Sequence, residues 1–515
     1  MKNKVNRIIP DEFLVDGVEA FQGQYYRDNY EYTKAAPTIK AQVNPHDSKV
    51  LASIREAIEK VGLKDGMCIS FHHHFRNGDY IAAMVFEVIK DMGIKDLYLC
   101  ASSLGKAHAS IVPLIEDGTI TTISSSGVRD EIGDAISAGK LKNPALIRSH
   151  GGRVRAIETG QVKIDVAFIG APTSDVYGNA SGKGGKADCG VLSYSDVDAR
   201  YADKVVVITD TLVPYPNNPY SIKGIDVDYV VEVDKVGDSS KIAGNAIRMT
   251  QDPRELMIAE YATKCVVNTP WFKDGFSFQT GAGGASLAVT QFLKQPMEEQ
   301  NIKMSFALGG IVKPMVDMLK EGYIHAIADT QDFDIASVES VHETPNHFEI
   351  STSEYANPLN KGAYVNKLDY VILGALEIDV DFNVNVVVGS DGTIQGAPGG
   401  HVDTSAGAKC CIIVSPLVRG RLATVRTSVT SVTTPGESVD ILVTDYGVAV
   451  NPARPDILEA LKKTDLPLVT IEELRDIAYD IVGEPADIEF EDKVVALVEY
   501  RDGTLIDVIR QVKNI

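Results

Sequence analysis

A glycine-rich loop at residues 278–286 (FQTGAGGAS) is the segment of this sequence best suited to bind an oxyanion. It follows a predicted strand and precedes a predicted helix at residues 287–294. The first N–H groups of a helix have no partner within the helix, so they point at whatever occupies the loop. Gly281, Gly283 and Gly284 leave room for an anionic oxygen to approach the backbone, which predicts an oxyanion or thioester-carbonyl site. A tight strand–helix turn is the alternative explanation.

Three consecutive histidines, His72, His73 and His74, precede Arg76. Successive residues of an extended strand point to opposite faces, so only His72 and His74 can share a side. No third ligand follows at a recognisable spacing, and we therefore predict no metal site. Together with Arg76, the histidines are suited to bind carboxylates, and a purely structural loop is the alternative. Four further arginines are candidate anion anchors, or else ordinary surface residues: Arg129, Arg148, Arg153 and Arg155.

The bulk composition excludes several classes of protein. The chain has 515 residues, 44% hydrophobic and 23% charged, which indicates a well-packed globular protein. Its formal charge of −21 argues against nucleic acid or an anionic membrane surface as the main partner. Six cysteines without a CxxC spacing predict neither a disulfide framework nor a zinc site. We find no signal-like segment and no apolar stretch of about 20 residues, and we therefore expect a cytoplasmic protein that does not enter a membrane.

The elements that would position these residues alternate between helices and short apolar strands. The strands are predicted at residues 67–71, 97–100, 165–170, 204–209 and 228–233. All-apolar strands separated by helices are typical of parallel sheets covered on both faces. Ligands of such sheets bind at the carboxyl ends of the strands, and the histidine run follows the first of these strands directly.

The sequence also contains an internal repeat. Residues 164–180 (IDVAFIGAPTSDVYGNA) recur as residues 368–384 (LDYVILGALEIDVDFNV), and each matched residue lies 204 positions after its counterpart, as Asp379 does after Asp175. Both aspartates are followed four residues later by an asparagine, a pattern that indicates a turn rather than a catalytic pair. We therefore predict an α/β fold of two duplicated domains with mostly parallel sheets and flanking helices.

Three regions follow from this pattern. Residues 1–46 form an N-terminal extension, residues 47–240 the first half, and residues 241–515 the second half, with a helical C-terminal part after Pro452. The extension is rich in tyrosine. Because aromatic side chains favour burial, we expect it to wrap around the body or to contact a partner.

Together with the repeat, several segments resemble the CoA-transferase superfamily. The second half fits its pattern in order, with QTGAGGASLAV, LDYVILGALEIDVDFNVNV and GAPGGHVDTSAGAKCCIIV. Within that superfamily the chain is similar to the citrate lyase α-subunit family, on FHHHFRNGD, SSLGKAHASIV, IRSHGGR, DTLVPYPN and the tyrosine-rich extension. The resemblance covers nearly the whole chain. Its glycine loop is generic to the superfamily, whereas the histidine run and the extension are more specific.

The resemblance implies a transferase activity. The α subunit of that family exchanges the acetyl group on an acyl carrier protein for citrate, which yields citryl carrier protein and acetate. The thiol belongs to a phosphopantetheine-type prosthetic group derived from dephospho-CoA and presented by a γ (acyl carrier) subunit, so this chain would bind no cofactor directly. A β (lyase) subunit would cleave the citryl thioester, and self-association into a homo-oligomer is expected.

The resemblance also implies roles for the candidate residues. Gly281, Gly283 and Gly284 would be catalytic, through oxyanion stabilisation. The residues that would bind substrate are His72, His73, His74, Arg76, Arg148 and Arg153. A second glycine-rich loop falls where the family forms its CoA-side pocket, and its candidate residues are Gly399, Gly400, His401 and Asp403. A turn shaped by Pro398 is the alternative for that loop.

One position departs from the larger superfamily. Many CoA-transferases carry a nucleophilic glutamate just after the strand that matches residues 303–310 (KMSFALGG). Here the matching position is near Leu308, between Ala307 and Gly309, and holds no carboxylate. A covalent enzyme–thioester route needs such a nucleophile. We therefore expect direct attack of a citrate carboxylate on the acetyl thioester within one ternary complex, helped by proximity and oxyanion stabilisation.

Two other functions stay open on the sequence alone. The first is a free CoA-transferase or acyl-CoA hydrolase that uses soluble CoA, which the missing glutamate and the citrate-lyase-like segments disfavour. The second is an α/β ligand-sensing or scaffold protein. No DNA-binding module or basic patch is visible in the sequence, which weakens a regulatory role.

Overall fold

Two large sheets, one built mainly from each half of the chain, form the framework of the protein. The computed structural model describes residues 1–27, 30–36, 48–243, 250–281 and 283–513. The elements of the first half are, in chain order, β1 (Val50–Leu51), α1 (Ile54–Val61), β2 (Cys68–Phe71), α2 (Ile81–Met92), β3 (Leu97–Ala101), α3 (Val112–Glu116), β4 (Ile120–Ser125), α4 (Asp130–Ser137), β5 (Ala145–Ile147), α5 (His150–Glu158), β6 (Val166–Ala171), β7 (Thr173–Ser174), β8 (Ala180–Ser181), α6 (Ser195–Tyr201), β9 (Lys204–Thr209) and β10 (Tyr229–Glu232).

The remaining elements begin after the segment that joins the two halves. They are, in chain order, α7 (Pro253–Val267), β11 (Phe276–Thr280), α8 (Gly284–Phe292), α9 (Lys294–Gln300), β12 (Met304–Ile311), α10 (Lys313–Lys320), β13 (Ile327–Asp332), α11 (Ile335–Glu343), β14 (His347–Glu349), α12 (Thr352–Ala356), β15 (Tyr370–Gly374), β16 (Glu377–Asp379), β17 (Val384–Asn385), α13 (His401–Gly407), β18 (Cys410–Val414), β19 (Val418–Arg419), β20 (Leu422–Ala423), β21 (Val425–Arg426), β22 (Ile441–Thr444), β23 (Gly447–Val450), α14 (Pro455–Leu461), α15 (Ile471–Val482), β24 (Phe490–Glu499) and β25 (Leu505–Val512).

Both sheets are parallel except at one edge. The first has the strand order β1-β10-β9-β6-β2-β3-β4-β5-β24-β25, and its antiparallel pair is β24–β25. The second has the order β14-β13-β12-β11-β15-β18-β22-β23, and its antiparallel pair is β22–β23. Central strands such as β2, β6 and β18 are buried along their whole length, because helices cover both faces. The predicted α/β class with mostly parallel sheets and flanking helices is confirmed.

The duplication is visible in the order of the strands. The series β9-β6-β2-β3-β4-β5 of the first sheet recurs as β18-β15-β11-β12-β13-β14 in the second. The repeated aspartates make the same turn in both copies. Asp175 accepts hydrogen bonds from the backbone N–H and the side-chain amide of Asn179, and Asp379 does so from Asn383. The turn-forming interpretation of these pairs is therefore confirmed.

A second repeated aspartate ties the strands that lead to the site. The Asp165 carboxylate accepts a hydrogen bond from the backbone N–H of Cys68 at 2.7 Å, which joins the start of β6 to the start of β2. In the other half, Asp369 accepts one from the N–H of Ser277 at 2.9 Å, which joins β15 to β11. The strand before the histidine run and the strand before the glycine loop are thus each tied to a neighbouring strand by an aspartate carboxylate.

The C-terminal end of the chain differs from the predicted helical part. Helices α14 and α15 do follow Pro452, but the chain then forms the β24–β25 hairpin. Strand β24 pairs in parallel with β5, with Ala496 opposite Ala145, so the hairpin completes the first sheet.

The N-terminal extension lies along this hairpin. The Asn3 side-chain amide donates to the Ile506 carbonyl at 2.7 Å, and the backbone N–H of Phe21 donates to that of Leu505 at 2.8 Å. The Phe21 ring also meets the Tyr500 ring edge-on, with centroids 4.8 Å apart. The described part of the extension therefore wraps around the body, as expected, whereas residues 37–46 lie outside the described residues.

Most of the tyrosines of the extension are exposed in this structure. Tyr25, Tyr26 and Tyr30 are 60%, 53% and 53% exposed, and Tyr32 is half-buried. The packing of the extension is provided instead by Phe21 and by polar contacts to the hairpin. Three of the four tyrosines therefore do not pack against the body of this chain, and the alternative expectation, contact with a partner, stays a prediction.

Candidate active site

The carboxyl ends of the two sheets meet at the histidine run. His73 follows β2 of the first sheet, and Gln331 lies at the end of β13 in the second. The His73 ring Nε2 lies 3.2 Å from the Gln331 side-chain oxygen, and the Gln331 amide donates to the His73 carbonyl at 3.2 Å. Since ligands of parallel sheets bind at this end of the strands, the space around His73 is the candidate active site.

The three histidines divide between the interior and the site. His72 and His74 share a side, as predicted, and their rings lie 6.4 Å apart. His72 is held by the Asp198 carboxylate at 2.9 Å and His74 by the Gly170 carbonyl at 2.9 Å, and both rings are buried. Of the three predicted substrate-binding histidines, the structure therefore places His73 alone beside the residues of the other sheet.

His73 belongs to a network that the sequence did not predict. Its Nδ1 lies 2.6 Å from the Ser102 hydroxyl, whose oxygen already accepts the backbone N–H of His73. The hydroxyl therefore donates to Nδ1, which leaves the proton of the neutral ring on Nε2, facing Gln331. The Tyr194 hydroxyl, 3.2 Å from Nε2 of His150, also donates to Gln331 at 3.4 Å.

His150 enters the site as the first residue of α5. Ser149 caps that helix by accepting the N–H of Gly152, and the His150 ring stacks on His73 with centroids 5.9 Å apart. Burial and the positive charges of Arg153 and Arg129 lower the pKa of His150 to about 3. Burial and repulsion from His150 and Arg76 likewise lower the pKa of His73 well below its ordinary value. Both imidazoles are therefore neutral at pH 7 and act as hydrogen-bonding groups rather than as cations.

We expect the stability of the wild type to fall relative to a His150→Gln variant as the pH is lowered from 7 to 5. The unfolded chain binds a proton at an ordinary histidine pKa near 6.5, whereas folded His150 does so only at about pH 3. Acidification through this window therefore favours unfolding of the wild type but not of the variant. Urea unfolding of both proteins at the two pH values measures the difference. A constant difference between them would show that His150 titrates normally.

Two arginines of the site have no carboxylate partner among the described residues. Arg76 lies with its guanidinium 4.3 Å above the Phe333 ring, and its Nε has no hydrogen-bond partner in the described chain. Burial and repulsion from Arg129 lower the pKa of Arg76 to about 10, and burial lowers that of Arg129. Arg76 is thus a candidate to bind a carboxylate of the substrate, and Arg129, which is itself attracted by Asp130, adds positive charge nearby.

The backbone of the loop is strained at Arg76. Its φ is +52°, in the left-handed region that residues with a side chain rarely adopt. Strain of this kind is kept where the surrounding structure requires one particular side-chain position. It therefore supports a binding role for Arg76.

The other two arginines that were predicted to bind substrate, Arg148 and Arg153, are in buried ion pairs. Arg148 donates twice to Glu499 at 2.9 and 3.1 Å, and Arg153 donates twice to Asp198 at 2.8 and 2.7 Å. Arg148 and Arg153 are each 2% exposed, so neither is available to a ligand in this structure. Arg148 ties the C-terminal hairpin to the end of β5, and Arg153 holds the carboxylate that binds His72. Both residues position the site rather than line it.

The Glu499→Gln variant should lose about 3–5 kcal/mol of stability, because two buried guanidinium groups then lack their counter-charge. Arg155 shares this carboxylate at 2.8 Å, so a single substitution affects both ion pairs. Urea denaturation followed by circular dichroism measures the loss. The matched control is Glu116→Gln, which breaks the exposed pair with Lys140 and should cost less than about 1 kcal/mol. Equal losses for the two variants would contradict the proposed role of the buried pair.

The glycine loop leads into the start of α8 and faces open space. Gly283 precedes α8 with no side chain capping the helix, and Gly284 is its first residue. A methyl group added to Gly283 would meet one atom within 4 Å, the Ser286 hydroxyl at 3.9 Å, so there is open space in front of the loop. The N–H of Gly281 is occupied by the Ile372 carbonyl at 2.8 Å. Gly283 and Gly284 are thus the members of the predicted trio that offer N–H groups to a ligand.

The second glycine-rich loop connects the two parts of the site. His401 lies 3.0 Å from the carbonyl of Gly374, at the end of the strand beside the first glycine loop. The Gly399 carbonyl accepts the N–H of His150 at 2.8 Å, and an added methyl on Gly400 would lie 2.3 Å from the Tyr355 hydroxyl. This loop therefore packs between the glycine loop and His150.

Asp403 of the same loop faces inward. It is fully buried and accepts hydrogen bonds from the Ser149 hydroxyl and from the N–H of Gly151, both at 2.9 Å. These contacts hold the start of α5 and hence His150. In this structure Asp403 positions the helix and is not open to a prosthetic group.

Four residues of the site were missed by sequence reasoning: Ser102, His150, Tyr194 and Gln331. His150 was within reach, because it follows β5 directly at the carboxyl end of a strand. Tyr194 and Gln331 carry no signal in one sequence, since their role depends on how the two halves are placed. Arg129, one of the four candidate anion anchors, is near enough to Arg76 for their charges to repel each other.

One group of described residues has the arrangement of possible metal ligands. Atoms of Asp329, Asp332 and His347 all lie within 4.8 Å of one another. They are occupied with one another, since His347 lies 3.0 Å from Asp329, and burial raises the pKa of Asp329 to about 7. We assign no metal to them. In the described part of the chain, no helix is long and apolar enough to cross a bilayer.

The two-sheet α/β fold recurs in solved structures of low sequence identity. A Pseudomonas malonate decarboxylase hetero-tetramer in complex with malonate matches with a TM-score of 0.63 at 15% identity, over 85% of this chain and 84% of that one. At that identity the likeness concerns the fold alone.

Closer relatives identify the family. The model of the family "Citrate lyase, alpha subunit (CitF)" matches residues 47–512. The citrate lyase α chains of Haemophilus influenzae and Escherichia coli are each 52% identical, over 95% and 91% of this chain and 98% and 92% of their own. A Streptococcus mutans structure described as the α subunit of citrate lyase in complex with citrate matches with a TM-score of 0.95 and 52% identity, over 99% of this chain and 100% of that one. The chain belongs to the citrate lyase α-subunit family, the transferase component of citrate lyase.

Proposed function

We propose that this chain exchanges acetyl for citrate on the thioester of an acyl carrier protein, to give citryl carrier protein and acetate. The observation that carries the proposal is Arg76, which follows the histidine run, lies with its guanidinium 4.3 Å above the Phe333 ring and has no carboxylate partner among the described residues, while Arg129 is near enough to repel it. Citrate has three carboxylates, and two of them can bind these guanidinium groups while the third reacts. The relative from Streptococcus mutans was solved with citrate, which supports the same ligand here.

The reacting thioester would lie at the glycine loop. A free citrate carboxylate attacks the acetyl carbonyl carbon, and the N–H groups of Gly283 and Gly284 stabilise the oxyanion. The carbon–sulfur bond then breaks, which leaves a thiolate and a mixed acetyl–citryl anhydride. The thiolate attacks the citryl carbonyl of that anhydride and releases acetate. No proton is transferred in this sequence, in keeping with neutral imidazoles at the site.

Direct transfer is preferred to a covalent enzyme intermediate. The position that matches the nucleophilic glutamate of other CoA-transferases lies near Leu308, and the Leu308 side chain is fully buried. Gly309 beside it packs against Gln279, with φ at +99°. Neither residue supplies a carboxylate to attack a thioester.

The partners follow from the same reaction. We propose that the thioester is carried by the phosphopantetheine-type group of a γ (acyl carrier) subunit, that a β (lyase) subunit cleaves the product, and that the chain self-associates in the cytoplasm. Family membership supports a multi-subunit citrate lyase complex in general terms.

The test is a single turnover of purified chain with acetylated carrier and citrate labelled with ¹⁸O in its carboxylates, without the β subunit. Direct attack transfers one citrate oxygen to acetate, so labelled acetate and citryl carrier are expected in equal amounts. Unlabelled acetate in the first turnover would instead indicate an enzyme carboxylate as the nucleophile. Transfer from soluble acetyl-CoA but not from the carrier would support the alternative of a free CoA-transferase.

A further inference from the structure

A second cavity lies outside the site described above. It has a volume of about 520 Å³ and is enclosed by the N-terminal extension, the turn of the C-terminal hairpin, and the end of α13. We call it the extension cavity. The residues of its wall that matter here are Arg27, Tyr30, Tyr32, Lys34, Arg501 and Asp502. A volume of this size is in the range of small-molecule sites.

The two arginines of the extension cavity are nearly buried and incompletely satisfied. Arg27 is 9% exposed, and its Nε and one terminal nitrogen have no hydrogen-bond partner among the described residues, although Glu19 lies 3.5 Å away. Arg501 is 8% exposed, and its Nε also lacks such a partner, with Asp403 at 3.5 Å. Arg27 and Arg501 thus bring two positive charges to the wall of the cavity, which favours an anion such as a phosphate.

Aromatic rings stand beside these charges. The Arg27 guanidinium lies 4.7 Å from the centre of the Tyr30 ring, and the Tyr30 and Tyr32 rings meet edge-on at 5.0 Å. An exposed tyrosine face offers a stacking surface to a planar heterocycle.

We propose that the extension cavity binds a nucleotide, with its phosphate at Arg27, Lys34 and Arg501 and its base on the tyrosines. Arg501 also lies 3.5 Å from Asp403, which holds the start of α5. The wall of the extension cavity is therefore connected to the helix that carries His150. The nucleotide is either the far end of a carrier-bound, dephospho-CoA-derived group or a free adenine nucleotide. The first source rests on the proposed function, whereas the cavity itself does not.

Calorimetric titration of the full chain with ADP, 3′-dephospho-CoA and 4′-phosphopantetheine tests the proposal without any turnover. ADP and dephospho-CoA should bind, and phosphopantetheine, which has no base, should bind about tenfold more weakly or not at all. Arg27→Gln should weaken the binding of both nucleotides by about tenfold or more, because it removes charge-assisted hydrogen bonds. If Arg27→Gln does not fold, Lys34→Gln provides the same test, because Lys34 lines the cavity and is exposed.

The matched controls are Arg55→Gln and Lys64→Gln, exposed residues of the first half, which should leave binding unchanged. Absence of ADP binding, or binding that Arg27→Gln and Lys34→Gln leave unchanged, would overturn the proposal. Displacement of ADP by the carrier protein with its prosthetic group would identify the carrier as the source, and bound ADP that the carrier leaves in place would identify the free nucleotide. A chain that binds ADP but fails the exchange test would retain this inference and lose the proposed function.

Discussion

Replacing Arg76 by glutamine should lower kcat/KM for citrate by about ten- to a hundredfold, the usual value of a charge-assisted hydrogen bond to a carboxylate. The guanidinium has no carboxylate partner among the described residues, so its charge is available to the substrate. The loss should appear mainly in KM, because the carboxylates bound by arginine carry the same charge in ground and transition states. Initial rates of label transfer from citrate to the carrier, measured over a range of citrate concentrations, give both constants.

Arg76→Lys separates charge from geometry. A lysine keeps the charge but not the planar, forked donor set, so we expect it to restore only part of the citrate affinity. The control is Arg55→Gln, which removes an exposed arginine of α1 that is 47% exposed. If Arg76→Gln changed the KM for citrate no more than this control does, Arg76 would not bind the substrate.

The Gly283→Ala variant should lose about a hundredfold or more in kcat while folding normally, since one oxyanion donor contributes that much to acyl transfer. The φ of Gly283 is −75°, which alanine adopts without strain, and the nearest atom to the new methyl is the Ser286 hydroxyl at 3.9 Å. The methyl would instead fill the space where the thioester oxygen must lie. Single-turnover rates with acetylated carrier and saturating citrate measure the effect.

A second glycine provides the comparison for this variant. Gly362→Ala adds a methyl in a loop where the nearest atom is the Asn360 side-chain oxygen at 3.4 Å. Its transfer rate should equal that of the wild type, and both variants should unfold at the wild-type urea concentration. Normal transfer by Gly283→Ala would exclude the loop as the oxyanion site, and a loss of stability in that variant would make its rate uninformative.

The fold was largely predictable from sequence, and the reason is physical. Strands such as Val166–Ala171 are apolar throughout, which indicates burial on both faces, and the repeat at a constant offset indicates two copies of one unit. The C-terminal hairpin was missed because strand partners far apart in the chain leave no local trace. Its residues pair with Ala145–Ile147, more than three hundred positions earlier.

The site was predicted only in part. Features that depend on neighbouring residues were predictable, whereas features that depend on distant contacts were not. Strand alternation separated His73 from His72 and His74 without any structure, because it depends on neighbouring residues alone. Arg148 and Arg153 were indistinguishable in sequence from Arg76, since what separates them is a distant acid, Glu499 or Asp198. Whether an arginine is free for a ligand is decided by tertiary contacts, which one sequence does not display.

The C-terminal hairpin has a consequence for how the chain is made. During synthesis β5 leaves the ribosome first, whereas its partner β24 emerges more than three hundred residues later. Until then the edge of β5 presents unpaired backbone groups to any passing strand. The first sheet therefore cannot be completed until β24 has been translated.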